Sequence, residues 1–399
     1  MQHTKAILKK LHPARVPQLL TTLLKDEAIS GKFIIGATVL ALIAANSPLA
    51  GLYQSILHLD ASAGIGNLVL HKDLRHWIND ALMAIFFLVV GLEIKRECLR
   101  GELRKLKTAA LPFAAAIGGM VVPALIFLSL NTGTEAAGGW AIPMATDIAF
   151  AVGVLALLGR RVPASLRLFL LTLAIVDDIG AVLVIALFYS SGISLPMLAI
   201  AAVASLIILL LGQLGRLNMS LYIAGCVLIW LAINASGVHP SIAGIVMGVI
   251  APLAGSGPSI AERTERFLIP ISTLFVIPLF AFANTGIILS AGNLEHIAAL
   301  PLALGIIGGL FIGKVAGITA ASWLMVRFGL AHLPNGVNWH HIGGVGLLAG
   351  IGFTVSIFIT GLAFESDQLV AVAKLSIVIA SVLSGLLGLL VLRRSFRAV

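Results

Sequence analysis

The chain has 399 residues, 59% of them apolar and only 11% charged, with a formal net charge of +9. A soluble protein of this size carries about 25% charged residues, so soluble domains, disorder, a collagen-like repeat and a disulfide scaffold are all excluded. What remains is an all-α polytopic membrane protein.

Residues 1–27 hold Lys5, Lys9, Lys10, Arg15 and Lys25 between short apolar stretches. No compact apolar core with a small-residue cleavage site follows. The segment therefore reads as a basic cytoplasmic arm on the membrane surface, not a signal peptide. Residues 28–399 read as one transmembrane domain. A helix needs about 20 mostly apolar residues to cross about 30 Å of hydrocarbon. Twelve segments qualify, near 29–48, 76–92, 108–130, 140–159, 164–190, 194–214, 219–236, 240–253, 267–289, 300–325, 342–364 and 370–392. The eighth is short enough to be tilted or re-entrant. Between the first two, GIGNLVLHKD fits either a small β-hairpin near residues 60–73 or an irregular loop. Cys98 and Cys226 form no C-x-x-C pair and read as free thiols.

Basic residues give the orientation. With both termini cytoplasmic, twenty-two of the 26 lysines and arginines fall in cytoplasmic segments, and only Lys72 and Arg75 lie in outer loops. Lys314 and Lys374 sit within spans. This is the positive-inside pattern of an even number of spans. It accounts for the net charge without a nucleic-acid partner.

Five ionisable residues interrupt apolar segments: Asp80 in WINDALMAIFF, Asp147 in IPMATDIAFAVG, Asp177 and Asp178 in LTLAIVDDIGAVLVIAL, and Lys314 in GGLFIGKVAGITA. An isolated charge there costs at least about 2.5–3.5 kcal/mol, so these groups are expected to pair, neutralise or border a wet cavity. One intramembrane Asp is readily a helix clamp; five such groups are not. Asp80 lies only a turn into its span, and Lys374, near a span end, is expected to snorkel. Helix neighbours point about 100° apart, so Asp177 and Asp178 form no tight proton-sharing dyad, yet both can border one cavity. Burial and a like-charged neighbour favour the protonated form of a carboxylate. Its ionised oxygens are hard ligands suited to Na+ or Li+. Ion and proton therefore compete for the same atoms. Lys314, among glycines that suit close helix packing, is expected to pair with one of the two aspartates when no ion is bound.

Two spans look interrupted. One contains Pro143, Thr146 and Asp147; the other contains Gly343, Gly344, Gly346, Gly350 and Gly352. Such clusters at mid-membrane break helices and leave backbone lining a cavity. They occupy the middle of spans three to five and ten to twelve, the layout of an inverted repeat. Asp147 and a nearby lysine would offset the partial charges of the half-helix ends. GVGLLA at 344–349 fits G-x-G-x-x-A, but no βαβ unit surrounds it. An intramembrane aspartic protease lacks support, because no G-x-G-D motif occurs. His239, in SGVHPSIAG, fits a pH-responsive group or a hydrogen-bonded boundary histidine.

WINDALMAIFFLVVGLEIKRE, GWAIPMATDIAFAVGVLALLG, LAIVDDIGAVLVIALFY, SGVHPSIAGIV, PLFAFANTGI and GIGFTVSIFI occur in this order. Together they resemble the NhaA family of bacterial Na+/H+ antiporters, from about residue 28 to the C-terminus. The resemblance implies twelve helices in two inverted repeats, whose broken fourth and eleventh helices cross at mid-membrane. It implies electrogenic, pH-activated exchange of Na+ or Li+ for more than one proton in the inner membrane, with no cofactor and no enzymatic step. By motif position, Asp177 and Asp178 would carry ion and protons, with Thr146 beside them. Asp147 would belong to the broken-helix assembly, Lys314 would be its basic partner, and Asp80 would lie near the transport region. Glu93, Arg96, Glu97 and Glu265 would form a cytoplasmic cluster tied to pH activation, with His239 also linked to it. The hairpin would make a homodimer contact. Two departures stand out. The basic arm is longer than the family pattern, and ERTERFLIP replaces expected histidines near Glu265, so the family's pH set point does not transfer. Among rivals, a Na+-coupled symporter needs more polar lining than Asn79, Gln213 and Asn284 supply. A channel would pass ions without proton counterflow.

Overall fold

A computed structural model of the chain describes residues 27–65, 68–104, 106–190, 192–253, 259–288 and 301–396. Except for Glu27, the basic arm lies outside the described residues. The apolar runs fold as helices because a helix satisfies its own backbone amides where no water can. Helix α1 (Glu27–Ala45) leads into α2 (Ala50–Leu57), and the described axes turn by 115° between them. Strands β1 (Ala63–Ile65) and β2 (Leu68–Leu70) then form an antiparallel hairpin, with Asp60 bridged to Asp73 at its base. Helices α3 (Leu74–Arg100) and α4 (Leu106–Asn131) follow. A 3₁₀ helix (Glu135–Met144) continues into α5 (Ile148–Ala156) with a 41° bend. Next come α6 (Ala164–Phe188), α7 (Leu195–Gln213), α8 (Met219–Ala235), α9 (Ser241–Ile250), α10 (Ile260–Asn284) and α11 (Pro301–Arg327). Helices α12 (Trp339–Ala349) and α13 (Phe353–Ala363) meet at a 46° bend, and α14 (Asp367–Ser395) closes the chain.

Among the described residues, seven helices are long and apolar enough to cross a membrane, or ten with three bent pairs counted as single spans, and the shorter apolar helices α8 and α9 occupy the two remaining places expected for spans. Two helices outrun their apolar cores. α3 continues through the charged turns Glu93 to Arg100, and α10 starts early because Ser259 and Glu262 form a capping box. The glycine cluster behaves differently from expectation. Gly343, Gly344 and Gly346 stay inside α12, and only Gly350 and Gly352 fall at the break. A backbone in hydrocarbon keeps its hydrogen bonds unless something replaces them.

Buried apolar side chains gather in two bodies. The larger joins α1, α2, α4, α5, α6 and α11 to α14 together with one face of α3 and the C-terminal half of α10; the smaller joins α7, α8 and α9 to another face of α3 and the start of α10. Leu187, Leu195 and Leu386 are exposed on the outside, as lipid-facing residues should be. Within the larger body, α4 and α11 touch backbone to backbone. A Cβ on Gly118 would stand 2.3 Å from the Gly317 carbonyl oxygen, and one on Gly317 would stand 2.1 Å from that of Gly118. Gly317→Val is therefore expected to destabilise by the ~1–3 kcal/mol of an overpacked contact. Gly361→Ala, with open space around its Cβ, should be near neutral. Size-exclusion profiles after graded heating in detergent compare the two.

Candidate functional site

The two helix breaks lie against each other. The Asp147 N–H donates to the Ile351 carbonyl (2.7 Å), and the Thr146 hydroxyl donates to the Ala349 carbonyl (2.8 Å). Asp147 is the N-cap of α5, accepting from the Phe150 N–H at 3.0 Å. Its other oxygen accepts the Thr354 N–H (3.1 Å) and hydroxyl (2.5 Å) in the first turn of α13. One carboxylate thus serves the N-terminal ends of two half-helices, where free N–H groups and the helix dipole favour negative charge. The expected lysine does not join it there. Lys314 makes its hydrogen bond elsewhere.

Asp177 and Asp178 stand near the middle of α6 and are 1% and 4% exposed. Lys314, on α11 and 0% exposed, donates to Asp177 Oδ2 at 2.6 Å. Removing each charge from water costs several kcal/mol, recovered only through close pairing. Asp177 Oδ1 is buried and accepts no hydrogen bond, which leaves hard oxygen lone pairs of the kind an alkali ion takes. Asp178 instead lines a cavity of about 230 Å³ with Thr146, Asp147, Thr354, Ser272 and Thr273. The cavity lies between the broken helices on one side and α3 with α10 on the other. It extends to Glu93, Arg96 and Glu265. There the Arg96 guanidinium pairs with Glu265 and approaches Glu93 (3.5 Å) and Glu97 (3.8 Å).

Asp80 and His239 are not part of this cavity. They line a separate one of about 180 Å³, near the hairpin. Lys72 Nζ lies 2.5 Å from Asp80 Oδ2, and His239 Nε2 lies 3.5 Å from Asp80 Oδ1. Burial pushes the His239 imidazole down to about 4, Asp80 opposes this and Lys72 adds to it. The ring is therefore neutral at neutral pH. Sequence reasoning passed over Thr354 and Lys72. The available signal for Thr354 was its position just after the Gly350–Gly352 break; for Lys72 there was only its rarity as an outer-loop cation.

Discontinuous helices crossing at a carboxylate, beside a buried acid pair and within a bundle of apolar helices, define a secondary transporter. The family profile described as Na+/H+ antiporter 1 matches residues 21–392. The Na+/H+ antiporter NhaA of Aeromonas hydrophila is 48% identical over 374 residues, covering 93% of this chain and 94% of its own. That of Rhodospirillum rubrum is 47% identical over 392 residues, covering 95% and 98%. The chain belongs to the NhaA family of Na+/H+ antiporters and is a multi-pass membrane protein. The fold is also shared with a solved structure of the sodium proton antiporter MjNhaP1 from Methanocaldococcus jannaschii. The TM-score is 0.50 at 13% identity, over 94% of this chain and 99% of that one.

Lys314→Gln strands a buried Asp177 charge and is expected to cost about 3–5 kcal/mol. The Asp177→Asn/Lys314→Gln double variant, which buries no lone charge, should recover most of that loss. Thermal melts of the wild type and both variants in detergent measure it.

Proposed function

We propose that this chain exports Na+ or Li+ from the bacterial cytoplasm across the inner membrane in exchange for more than one periplasmic proton per ion, by alternating access at Asp177 and Asp178. The observation that carries this reading is the asymmetry of the pair. Asp178 borders a cavity while Asp177 is sealed and held by Lys314 at 2.6 Å. With both termini cytoplasmic, as the basic loops indicate, the Arg96–Glu265 end lies inside and the cavity opens to the cytoplasm.

At alkaline cytoplasmic pH, Asp178 ionises and an entering Na+ reaches it beside Thr146. The ion then takes Asp177 from Lys314, and the lysine, buried without a counterion, releases its proton to the cytoplasm, so that two protons leave for one ion bound. Once it is bound, the broken-helix body moves against α3 and α10 and turns the site outward. Two periplasmic protons, one on Asp178 and one on Lys314, displace the ion, the Lys314 ammonium returns to Asp177, and the protonated site resets. Exchanging more than one proton for one ion moves net charge, so membrane voltage contributes about 2.3 kcal/mol per charge per 100 mV. Asp147 holds the crossing together as positions shift. Glu93, Glu97 and Glu265 around one guanidinium form a mouth whose charge balance changes with cytoplasmic pH, which supports a role in pH activation. His239, already neutral at neutral pH and lining the other cavity, would change charge only on the acid side. The hairpin supports a homodimer contact, and bilayer lipid is the remaining partner. The reading needs no resident cofactor and no nucleic acid. It assigns the chain to Na+ and pH homeostasis.

The test is a proteoliposome carrying a pH gradient and a pH-sensitive dye. Addition of NaCl or LiCl, but not KCl, is expected to dissipate the gradient. Asp177→Ala and Asp178→Ala should each abolish the response. Wild-type rates in both variants would remove the site assignment.

A further inference from the structure

The cavity at the hairpin end has features that the exchange cycle above leaves unused. Its polar lining includes His76, Asn79, Asp80, His239 and Asn284. Asn284 donates to Asn79 at 2.7 Å, so two amides from α10 and α3 face each other across it. Toward the acid pair it is closed by rings. Phe358 packs 5.5 Å from Phe87, 6.2 Å from Phe280 and 5.1 Å from His239.

Lys72 enters from the hairpin. Besides its contact with Asp80, its ammonium donates to Asn234 Oδ1 on α8 at 3.0 Å, and the side chain is 19% exposed. Its backbone belongs to the hairpin base, where the Lys72 carbonyl accepts the Ala61 N–H at 3.0 Å. The neighbouring Asp73 receives the His76 N–H at 2.8 Å and lies 2.9 Å from His58 Nδ1. Lys72 is therefore mounted on one element and bonded to two others. A carboxylate and amide oxygens around a small polar space form the hard-oxygen seat that an alkali ion uses. Here an ammonium fills that seat.

We propose that Lys72 is a tethered cation closing the outer ion route: it sits on Asp80 while the acid pair faces the cytoplasm, and it must leave before Na+ passes between that pair and the periplasm. This rests on the reading of the Asp178 cavity as the inward side. Lys72 is a positioning residue and holds no transported ion itself. It competes with outer Na+ for Asp80. It also stabilises one conformation only, so it biases the equilibrium toward inward-facing. Asp80 is thereby a transient outer station for the ion, distinct from the acid pair.

The experiment is a sided Na+ titration on uniformly oriented proteoliposomes carrying the full chain. For Lys72→Met the apparent KM for outer-face Na+ is expected to fall about three- to tenfold, the range of a partly exposed ion pair. The inner-face KM should rise, because fewer molecules wait facing inward. Lys72→Arg should restore both values, and in an Asp80→Asn background Lys72→Met should add nothing. An unchanged outer KM, or a parallel change on both faces, overturns the proposal. Retained Na+-driven exchange in that variant shows that the antiport reading itself survives. If Lys72→Met is inactive, labelling replaces kinetics. In a Cys98→Ser/Cys226→Ser background, Asn284→Cys should react faster with an outer, impermeant maleimide once Lys72 is Met. An unchanged labelling rate likewise overturns the proposal.

Discussion

Moving a carboxylate and an ammonium out of water costs several kcal/mol each. Lys314 and Asp177 meet that cost by standing 2.6 Å apart with almost no exposed surface. Neither group can be left alone at such depth, so whatever separates them must bring a replacement charge. A proton or a desolvated alkali ion can take the place of the ammonium on the carboxylate, and the lysine, left without a counterion, must then give up its own proton. This constraint makes the proposed cycle an exchange, since the vacant and fully ionised site is the costly state. Asp178, one residue away, has the cavity to exchange with. The division of labour between the two acids comes from helix rotation alone. Asp177 faces the Lys314 side chain arriving from α11, and the next residue points into the space before α3 and α10.

Asp147 solves a different problem with the same chemistry. Broken helices expose N–H groups that hydrocarbon cannot satisfy. The Asp147 carboxylate takes the Phe150 N–H on one oxygen and the Thr354 N–H and hydroxyl on the other. Its own N–H and the Thr146 hydroxyl fill carbonyls of the opposite break. The two breaks are therefore each other's solvent. That interdependence allows an irregular backbone to persist beside the acid pair, where regular helices would leave no polar lining.

Much of this was legible in the sequence, for reasons of cost. Hydrocarbon thickness imposes apolar runs of fixed length, so the twelve segments could be counted. Charges in such runs are expensive, so Asp147, Asp177, Asp178 and Lys314 announced themselves. Which aspartate Lys314 chooses was not legible, because it depends on which face of α6 turns toward α4, past which Lys314 reaches from α11. Nor was the exact break in the eleventh span. Gly346 lies against the backbone of Val315, where a Cβ would stand 3.0 Å from its Cα. It serves close packing and leaves the helix intact. Thr354 resembles any other threonine in an apolar helix until the Asp147 carboxylate is placed beside it. Lys72 was counted as an outer-loop charge, and only the return of the hairpin toward α3 and α8 brings it to Asp80 and Asn234.

In the proposed cycle, the two polar cavities give one bundle an ion route that is interrupted, unlike that of a channel. One contains Asp178 and runs toward Arg96 and Glu265; the other contains Asp80 and lies beneath the hairpin. Between them stand Phe87, Phe280 and Phe358, all buried and in ring contact. An ion without its water would find no oxygen ligand among those rings, so the barrier is one of solvation as well as size. Phe358 belongs to α13, the half-helix whose first turn is bonded to Asp147, whereas Phe87 and Phe280 belong to α3 and α10. Any movement of the broken-helix body against α3 and α10 therefore shears this aromatic contact along with the Asp178 cavity. In the proposed cycle the barrier and the site are thus coupled through one short helix, and Lys72 on Asp80 adds a further closure on the outer side.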